Sequence, residues 1–356
     1  MVLVLSACGE DRTQPTELVP SQTPPPTVDE LSTLIAMQQV ATEVPTATPW
    51  PTPTPTLSPT PATPTPTPTF QFYPTNTPRA TQHTNSGTTS IALGNPTEAG
   101  PEHYWFARPF PRDASGEIKD YASRSYPYGS TSYGQFQTHH GVDISNSPGT
   151  SILAVANGWV VFAGSDDREM FGPETNFYGK LVVIEHEYPA PNGEMLYTLY
   201  GHMSEVTVEA GQHVMQGDKI GEVGSTGVAL GPHLHLEVRL GDYHDYYRTY
   251  NPDLWVRPWP TYGTLAGTLK DRNGNLVKDT EITIQPADGN GGETYYTFSY
   301  ADNLVNPDPI LGENYVRGDL PEGDYKVYVR IQGVLRYQGE VTVEAGKTAW
   351  LDIVLR

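Results

Sequence analysis

The sequence predicts an all-β protein that follows a disordered segment, and three observations support this prediction. First, apolar and polar residues alternate in short runs such as residues 233–240 (HLHLEVRL), and a period of two is typical of strands. Second, Gly, Pro and Asn interrupt these runs at short intervals, and no amphipathic helix of convincing length is legible from residue 100 onward. Third, residues 43–79 are dominated by Pro and Thr, which bury too little apolar surface to fold.

The part of the chain with strand character divides into two regions, 100–260 and 262–356. In the first region, the run SILAVANGWVVFAG (151–164) places Asn157 and Gly158 between two apolar stretches. An Asn-Gly pair in that position predicts a β-hairpin. Further short apolar runs continue to residue 240, so we expect an all-β domain of short strands here.

The second region predicts a small β-sandwich. It contains another Asn-Gly turn in GTLAGTLKDRNGNLVKDTEITI (263–284), and GDYKVYVRI (323–331) alternates apolar and polar residues. In the last strand, four alternate residues share one face: Ala349, Leu351, Ile353 and Leu355. Strands at this spacing with turn signals are typical of sandwiches. The region resembles transthyretin-like or carboxypeptidase-regulatory-like modules in its D.NG turn and its LPEGDYKVYV run.

Composition excludes some classes of function. The formal charge is −20, from 21 basic and 41 acidic residues, which argues against a nucleic-acid partner because phosphate binding needs clustered Lys and Arg. The chain has one cysteine, Cys8. An intrachain disulfide and a multi-cysteine zinc finger are therefore excluded.

Cys8 predicts a lipid anchor. The segment MVLVLSACGED resembles the lipobox of bacterial lipoproteins, in which the cysteine is lipidated and becomes the mature N-terminus. Residues 1–8 would then be a shortened signal segment and residues 9–99 a disordered linker to the folded part. The segment has no basic n-region and a short apolar stretch, so we expect the true start to lie upstream. The alternative is an incidental cysteine near a truncated terminus.

Two histidines on one strand raise the question of a metal site. In the run HLHLEVRL, His233 and His235 share a face with Glu237 because successive strand residues point to opposite faces. Upstream, FQTHHGVDIS (136–145) places His139 and Asp143 four residues apart, with an intervening glycine that permits an unusual backbone. Zinc binds imidazole nitrogen and carboxylate oxygen, and catalytic sites leave one position open.

The pattern thus predicts a site made of His139, Asp143 and one histidine of the pair at 233 and 235. These ligand types would also admit other divalent ions. His202 in LYTLYGHMS and the remaining histidine of the pair would be free for acid–base work near neutral pH. Glu237 could orient an imidazole, although a plain surface role is as good an interpretation of that residue.

Each of these motifs alone is common by chance, but their order is specific. Together HHGVDIS, YGHMS and VGSTGVALGPHLHLEV resemble the lysostaphin/LytM-type zinc endopeptidases of peptidoglycan, over roughly residues 109–240. The resemblance implies an antiparallel sheet of the duplicated hybrid motif. It implies that the zinc ligands are His139, Asp143 and His235, and that His202 and His233 activate water and stabilise the tetrahedral intermediate. The loops 165–179 and 187–195 look longer than in the family.

The resemblance implies a zinc endopeptidase of the cell envelope that cuts peptide bonds of bacterial peptidoglycan. It would be anchored by lipid on the outer face of the cytoplasmic membrane or secreted, and the C-terminal sandwich would bind a wall or protein ligand. The alternative is a catalytically silent member of the same family that regulates other enzymes or binds the wall. A surface protein that uses zinc only for stability is a second alternative.

Overall fold

The computed structural model describes residues 102–356, apart from 112, 114 and 289–291. Cys8 and the Pro/Thr-rich segment lie outside these residues, so lipidation and a disordered linker stay predictions. All described residues belong to one compact unit, Asn85–Arg356. Within them, no helix has the length and apolar character needed to cross a membrane.

Nine strands form the largest sheet, and every pairing in it is antiparallel. They are β1 (Val142–Ser145), β2 (Ser151–Leu153), β3 (Gly158–Ser165), β4 (Lys180–His186), β5 (Leu196–Val206), β6 (His213–Val214), β7 (Lys219–Val223), β8 (His233–Leu240) and β9 (Thr249–Tyr250). The main path runs β1-β8-β5-β4-β3-β6, with β2 on β7, β7 on β5, and β9 on β8. The all-β, antiparallel prediction for this region is confirmed.

Strand β8 is buried on both faces. Its apolar face, formed by Leu234, Leu236, Val238 and Leu240, is fully inaccessible to solvent and lies in the main core. On the opposite face, Glu237 and Arg239 are also fully inaccessible. Because a buried charge is costly unless it is paired and hydrogen-bonded, this polar face must find its partners inside the protein.

The predicted hairpin around Asn157 and Gly158 is wrong. Strand β2 pairs with β7, whereas β3 pairs with β4 and β6. Gly158 begins β3, where a Cβ atom would lie 2.3 Å from the carbonyl oxygen of Glu185. The glycine therefore permits close packing of two strands and does not form a two-residue turn.

The C-terminal region, residues 262–356, contains the other nine strands. They are β10 (Tyr262–Gly267), β11 (Leu269–Lys270), β12 (Glu281–Pro286), β13 (Tyr295–Phe298), β14 (Tyr315–Pro321), β15 (Gly323–Ile331), β16 (Val334–Val343), β17 (Thr348–Trp350) and β18 (Ile353–Val354). They form sheets in the orders β14-β10-β17, β11-β18 and β13-β12-β15-β16. Side chains from all three sheets share a second core. The sandwich architecture itself stays a prediction.

Local predictions in the C-terminal region are confirmed. The backbone turns at Gly274, whose φ is +87°, and the Asp271 N–H donates to the Asn275 carbonyl at 2.9 Å. Along β15, Tyr325, Val327 and Val329 are buried while the intervening residues are partly or fully exposed. The last predicted strand keeps its alternation but is broken into β17 and β18.

The two regions share core and charge contacts. Ala266, Tyr300 and Val316 of the C-terminal region belong to the main core with the strands of the large sheet. Arg108 pairs with Asp319 across the predicted boundary, as does Arg124, whose Nη2 lies 3.2 Å from an Asp319 oxygen. The predicted division at residues 260–262 thus falls where side chains from both regions pack together.

We expect Gly158→Ala to lower the free energy of unfolding by about 1–3 kcal/mol, because overpacking against backbone forces β3 and β4 apart. Urea denaturation followed by intrinsic fluorescence measures this change. Gly231→Ala is the matched control, since a Cβ at that position meets nothing within 4 Å. Equal stability of the two variants would contradict the packing role given to Gly158.

Candidate metal centre

Three neighbouring strands bring the predicted residues together. In the order β1-β8-β5, Asp143 pairs in register with His235, and His235 pairs with Gly201 on the other side. His202 follows Gly201 in β5 and His139 enters from the loop before β1. The sheet therefore gathers side chains that lie up to 96 residues apart in the sequence.

The three candidate ligands converge on one point. His139 Nε2 lies 3.2 Å from Asp143 Oδ1 and 3.3 Å from His235 Nδ1. His235 Nδ1 lies 2.9 Å from the same Asp143 oxygen. Tetrahedral zinc with bonds of about 2.0–2.2 Å holds its ligand atoms about 3.3–3.6 Å apart. The set of two imidazoles and one carboxylate fits such an ion with small adjustments.

Gly141 is needed between His139 and Asp143, but for a different reason from the one expected. Its φ is not in the left-handed region. A Cβ atom there would lie 2.5 Å from the Leu236 carbonyl oxygen and 2.7 Å from His235 Nε2. The glycine lets the ligand loop approach β8 closely.

Hydrogen bonds on the far nitrogens direct the two candidate histidine ligands toward this point. His139 Nδ1 lies 2.7 Å from the Tyr126 carbonyl oxygen, to which it can only donate, so Nε2 keeps its lone pair. The Tyr126 ring also stacks on His139, with centroids 4.1 Å apart. His235 Nε2 lies 3.0 Å from Glu237 Oε1, and donation there leaves Nδ1 free for a metal. Such partners set the tautomer and raise ligand basicity.

Glu237 is held by a buried network. Its Oε1 accepts a hydrogen bond from the Tyr178 hydroxyl at 2.5 Å, and its Oε2 accepts one from Arg239 Nε at 2.7 Å. Arg239 also donates to the carbonyl oxygens of Tyr243 and Phe171. Burial opposes ionisation of Glu237, but Arg239 and His235 together lower its pKa to about 2. The carboxylate under His235 is therefore charged at neutral pH.

His202 and His233 stand beside the cluster with one nitrogen of each ring free. His202 Nδ1 lies 2.8 Å from the Thr226 carbonyl oxygen, and His233 Nδ1 lies 2.7 Å from that of Gly231. Each therefore presents an unprotonated Nε2. The two ring centroids are 4.8 Å apart, and His233 Nε2 lies 3.5 Å from Asp143 Oδ1.

The electrostatic environment keeps His202 neutral. Burial and the neighbouring imidazoles lower the pKa of His202 to about 3. Burial lowers the pKa of His233 as well. The backbone at His202 has a φ of +61°, a conformation that costs energy in a residue with a Cβ and that clusters at functional sites.

All five histidine and aspartate residues predicted for the site lie in this cluster, and Glu237 contacts His235 rather than lying on the surface. His140, next to a ligand, faces away and lies 3.0 Å from the Thr249 hydroxyl. The predictions missed Tyr126, Tyr178 and Arg239. Alternation along β8 places Arg239 on the same face as Glu237, which is a sequence signal that could have identified Arg239. Loop residues such as Tyr178 have no such periodic signal.

The long loop 165–179 has a structural role at the site. Tyr178 supplies the hydroxyl that binds Glu237, and its carbonyl oxygen accepts from the His202 N–H at 2.9 Å. The Phe171 carbonyl oxygen accepts from Arg239. The loop therefore supports the ligand network from behind.

Comparison with known proteins agrees with this geometry. Residues 137–247 match the model of peptidase family M23. This span contains the three candidate ligands together with His202 and His233. An uncharacterized metalloprotease of Haemophilus influenzae is 34% identical over 156 residues, which are 43% of this chain and 28% of that protein.

Other relatives differ in their described roles. The peptidoglycan DD-endopeptidase ShyA of Vibrio cholerae is 34% identical over 28% of this chain and 20% of its own length. The murein hydrolase activator NlpD of Escherichia coli is 37% identical over 28% of this chain and 22% of its own length. The chain thus spans less than a third of each relative. The catalytic domain of lysostaphin from Staphylococcus simulans has 26% identity over 40% of this chain and 96% of that chain, with a TM-score of 0.29.

We expect Glu237→Gln to weaken zinc binding by about 10- to 100-fold, because a neutral amide loses the charge that orients His235 and compensates Arg239. Competition with a chromogenic chelator measures the affinity. Glu205→Gln, at an exposed position of β5, is the matched control and should bind zinc as wild type does. An unchanged affinity in Glu237→Gln would refute the orienting role.

Proposed function

We propose that this protein is a zinc-dependent endopeptidase that hydrolyses peptide bonds of bacterial peptidoglycan, as the match of residues 137–247 to peptidase family M23 supports. The observation that carries the proposal is the convergence of His139, Asp143 and His235, whose ligand atoms all lie within 4.8 Å of one another. The proposed zinc ligands are His139 Nε2, Asp143 Oδ1 and His235 Nδ1.

The chemistry divides between the metal and two histidines. Zinc, when bound, supplies Lewis acidity that polarises a carbonyl and makes water more acidic. The free Nε2 atoms of His202 and His233 can accept a proton from the attacking water and return it to the leaving amine. A protonated imidazole there also donates a hydrogen bond to the oxygen that develops negative charge. Buried surroundings strengthen each of these interactions.

The substrate class comes from the relatives. One is described as a peptidoglycan DD-endopeptidase and another as a murein hydrolase activator. The second description favours the alternative function, a silent member that acts through a partner hydrolase. The present chain has the complete set of two imidazole ligands, one carboxylate and two further histidines, which supports catalysis.

We expect His233→Ala to lose at least 100-fold in hydrolysis while it keeps zinc, since it removes acid–base chemistry but no ligand. His139→Ala should lose both hydrolysis and zinc, because it removes a proposed ligand. Mass spectrometry of peptides released from purified peptidoglycan measures hydrolysis, and metal analysis measures zinc. His213→Ala is the control, because His213 lies on β6 and binds Glu187 at 2.7 Å.

The outcome separates the candidate functions. A wild-type protein that releases no peptide but stimulates a separate wall hydrolase would support the silent regulator. The wild-type protein could instead bind zinc, release no peptide, stimulate no hydrolase and unfold when a chelator is added. That result would support zinc as a structural ion. Equal hydrolysis by wild type and His233→Ala would reject the catalytic role of that residue.

For location, we propose the cell envelope, with attachment through a lipid on Cys8. The lipobox resemblance of MVLVLSAC and the Pro/Thr-rich segment that follows support it, because an extended spacer of that composition would let the enzyme reach the wall. The proposed ligand of the C-terminal region is a wall component or a protein, on the basis of fold resemblance alone.

We expect Cys8→Ala to move the protein from the membrane fraction to the soluble or secreted fraction, since the lipidated sulfur would be lost. The measurement is immunoblotting of fractions from cells that express the chain behind a lipoprotein leader. Ser21→Ala should leave the distribution unchanged. Persistence of Cys8→Ala in membranes would reject the anchor.

A further inference from the structure

The loop that carries His139 is bound along its length by the C-terminal region. This loop, residues 126–139, is called here the His139 loop. It holds the ligand ring through the Tyr126 carbonyl oxygen and the Tyr126 ring. It also holds the ligand backbone, because the Gly129 N–H donates to the His139 carbonyl at 2.8 Å and the His139 N–H donates to the Ser130 carbonyl at 3.0 Å. The position of His139 thus follows the position of this loop.

The first contact from the C-terminal region is at Gly129. The Ala301 N–H donates to the Gly129 carbonyl at 2.7 Å. The buried Tyr300 ring lies against Gly129, where an added Cβ would come within 2.4 Å of Tyr300 Cδ1. Tyr300 is itself fixed by its hydroxyl, which donates to Glu313 at 2.8 Å. A buried, hydrogen-bonded segment of the C-terminal region therefore supports the backbone that positions His139.

The second contact is at Thr138, directly before the ligand. The buried Thr138 hydroxyl donates to Asp302 Oδ2 at 2.5 Å. Asp302 is in turn held by the Leu304 N–H, which donates to Oδ1 at 2.9 Å. A hydrogen bond to an ionised acceptor is stronger than a neutral one, so this contact restrains the residue that precedes His139.

Two further contacts hold the middle of the loop in a costly conformation. Ser132 and Tyr133 have φ values of +51° and +61°, which non-glycine residues rarely adopt. The Tyr133 hydroxyl donates to Glu281 at 2.5 Å, and its ring packs edge-on against Phe298 at 4.8 Å. Such conformations persist only where the surroundings over-determine them. Here hydrogen bonds within the loop, such as that from the Phe136 N–H to the Thr131 carbonyl at 3.0 Å, act together with these contacts from the C-terminal region.

We infer that the C-terminal region is a positioning element of the metal centre, which holds the His139 loop in the geometry that binds the ion. Thr138, Asp302 and Tyr133 are positioning residues in this arrangement. The inference rests on the proposed zinc site, and it goes beyond the proposed attachment of this region to a wall or protein ligand. It implies that the peptidase region and the C-terminal region work as one unit.

Thr138→Val tests the inference because it removes only a hydroxyl and keeps the side-chain shape. We expect roughly tenfold weaker zinc binding in chelator competition. We also expect a lower kcat with an unchanged KM on a peptidoglycan peptide and little change in Tm. Thr138→Ser should restore the affinity. Tyr133→Phe, at a largely exposed position, should weaken zinc binding in the same direction without threatening the fold.

Thr342→Val is the matched control. Thr342 donates to Asp324 at 2.6 Å within the β15–β16 pair. Its replacement by Val therefore removes the same kind of Thr–Asp hydrogen bond, but away from the His139 loop. Zinc affinity equal to the control in both Thr138→Val and Tyr133→Phe would overturn the inference. Weaker zinc binding in these variants supports it even if wild type hydrolyses nothing, because metal affinity is measured independently of the proposed endopeptidase activity.

Discussion

The ion pair between Glu237 and Arg239 is the interaction on which the site depends. Both side chains are fully buried, and removing two charges from water costs several kcal/mol for each ion. The cost is offset only because every contact is made: Arg239 binds two backbone carbonyls and Tyr178, while Glu237 binds Tyr178 and His235. The network therefore fixes the rotamer of His235 from behind.

The need to satisfy this buried ion pair also explains why the loop after β3 is hydrogen-bonded to strand β8. A metal site needs its ligand atoms held closely enough for an ion to bind without rearrangement of the protein. Tyr178 links the two elements, because its hydroxyl enters the Glu237 network and its carbonyl oxygen holds the backbone of His202. A change in this loop would thus affect both His235 and His202, although neither residue lies in the loop.

The relation of the two regions has consequences for how the protein is divided. The core that supports the large sheet includes Tyr300 and Val316 from the C-terminal region, and the loop with His139 is bound by the same region. A fragment cut near residue 260 would lose part of its core and expose apolar surface. The C-terminal region is therefore better described as part of one folded unit with the large sheet than as a separate module.

The sequence by itself determined the strand β8, the parity of its two faces and the residues from which the candidate ligands come, since a period of two and the chemistry of His and Asp are local properties. The choice of His235 over His233 came from the family resemblance alone. It did not determine strand partners, as the failed hairpin at Gly158 illustrates, because pairing depends on residues that are distant in the chain. Only the tertiary structure decided that Tyr126 and Tyr178 support the ligands and that Asp302 reaches Thr138. Loop residues carry no periodic signal, so their partners can be identified only in the folded structure.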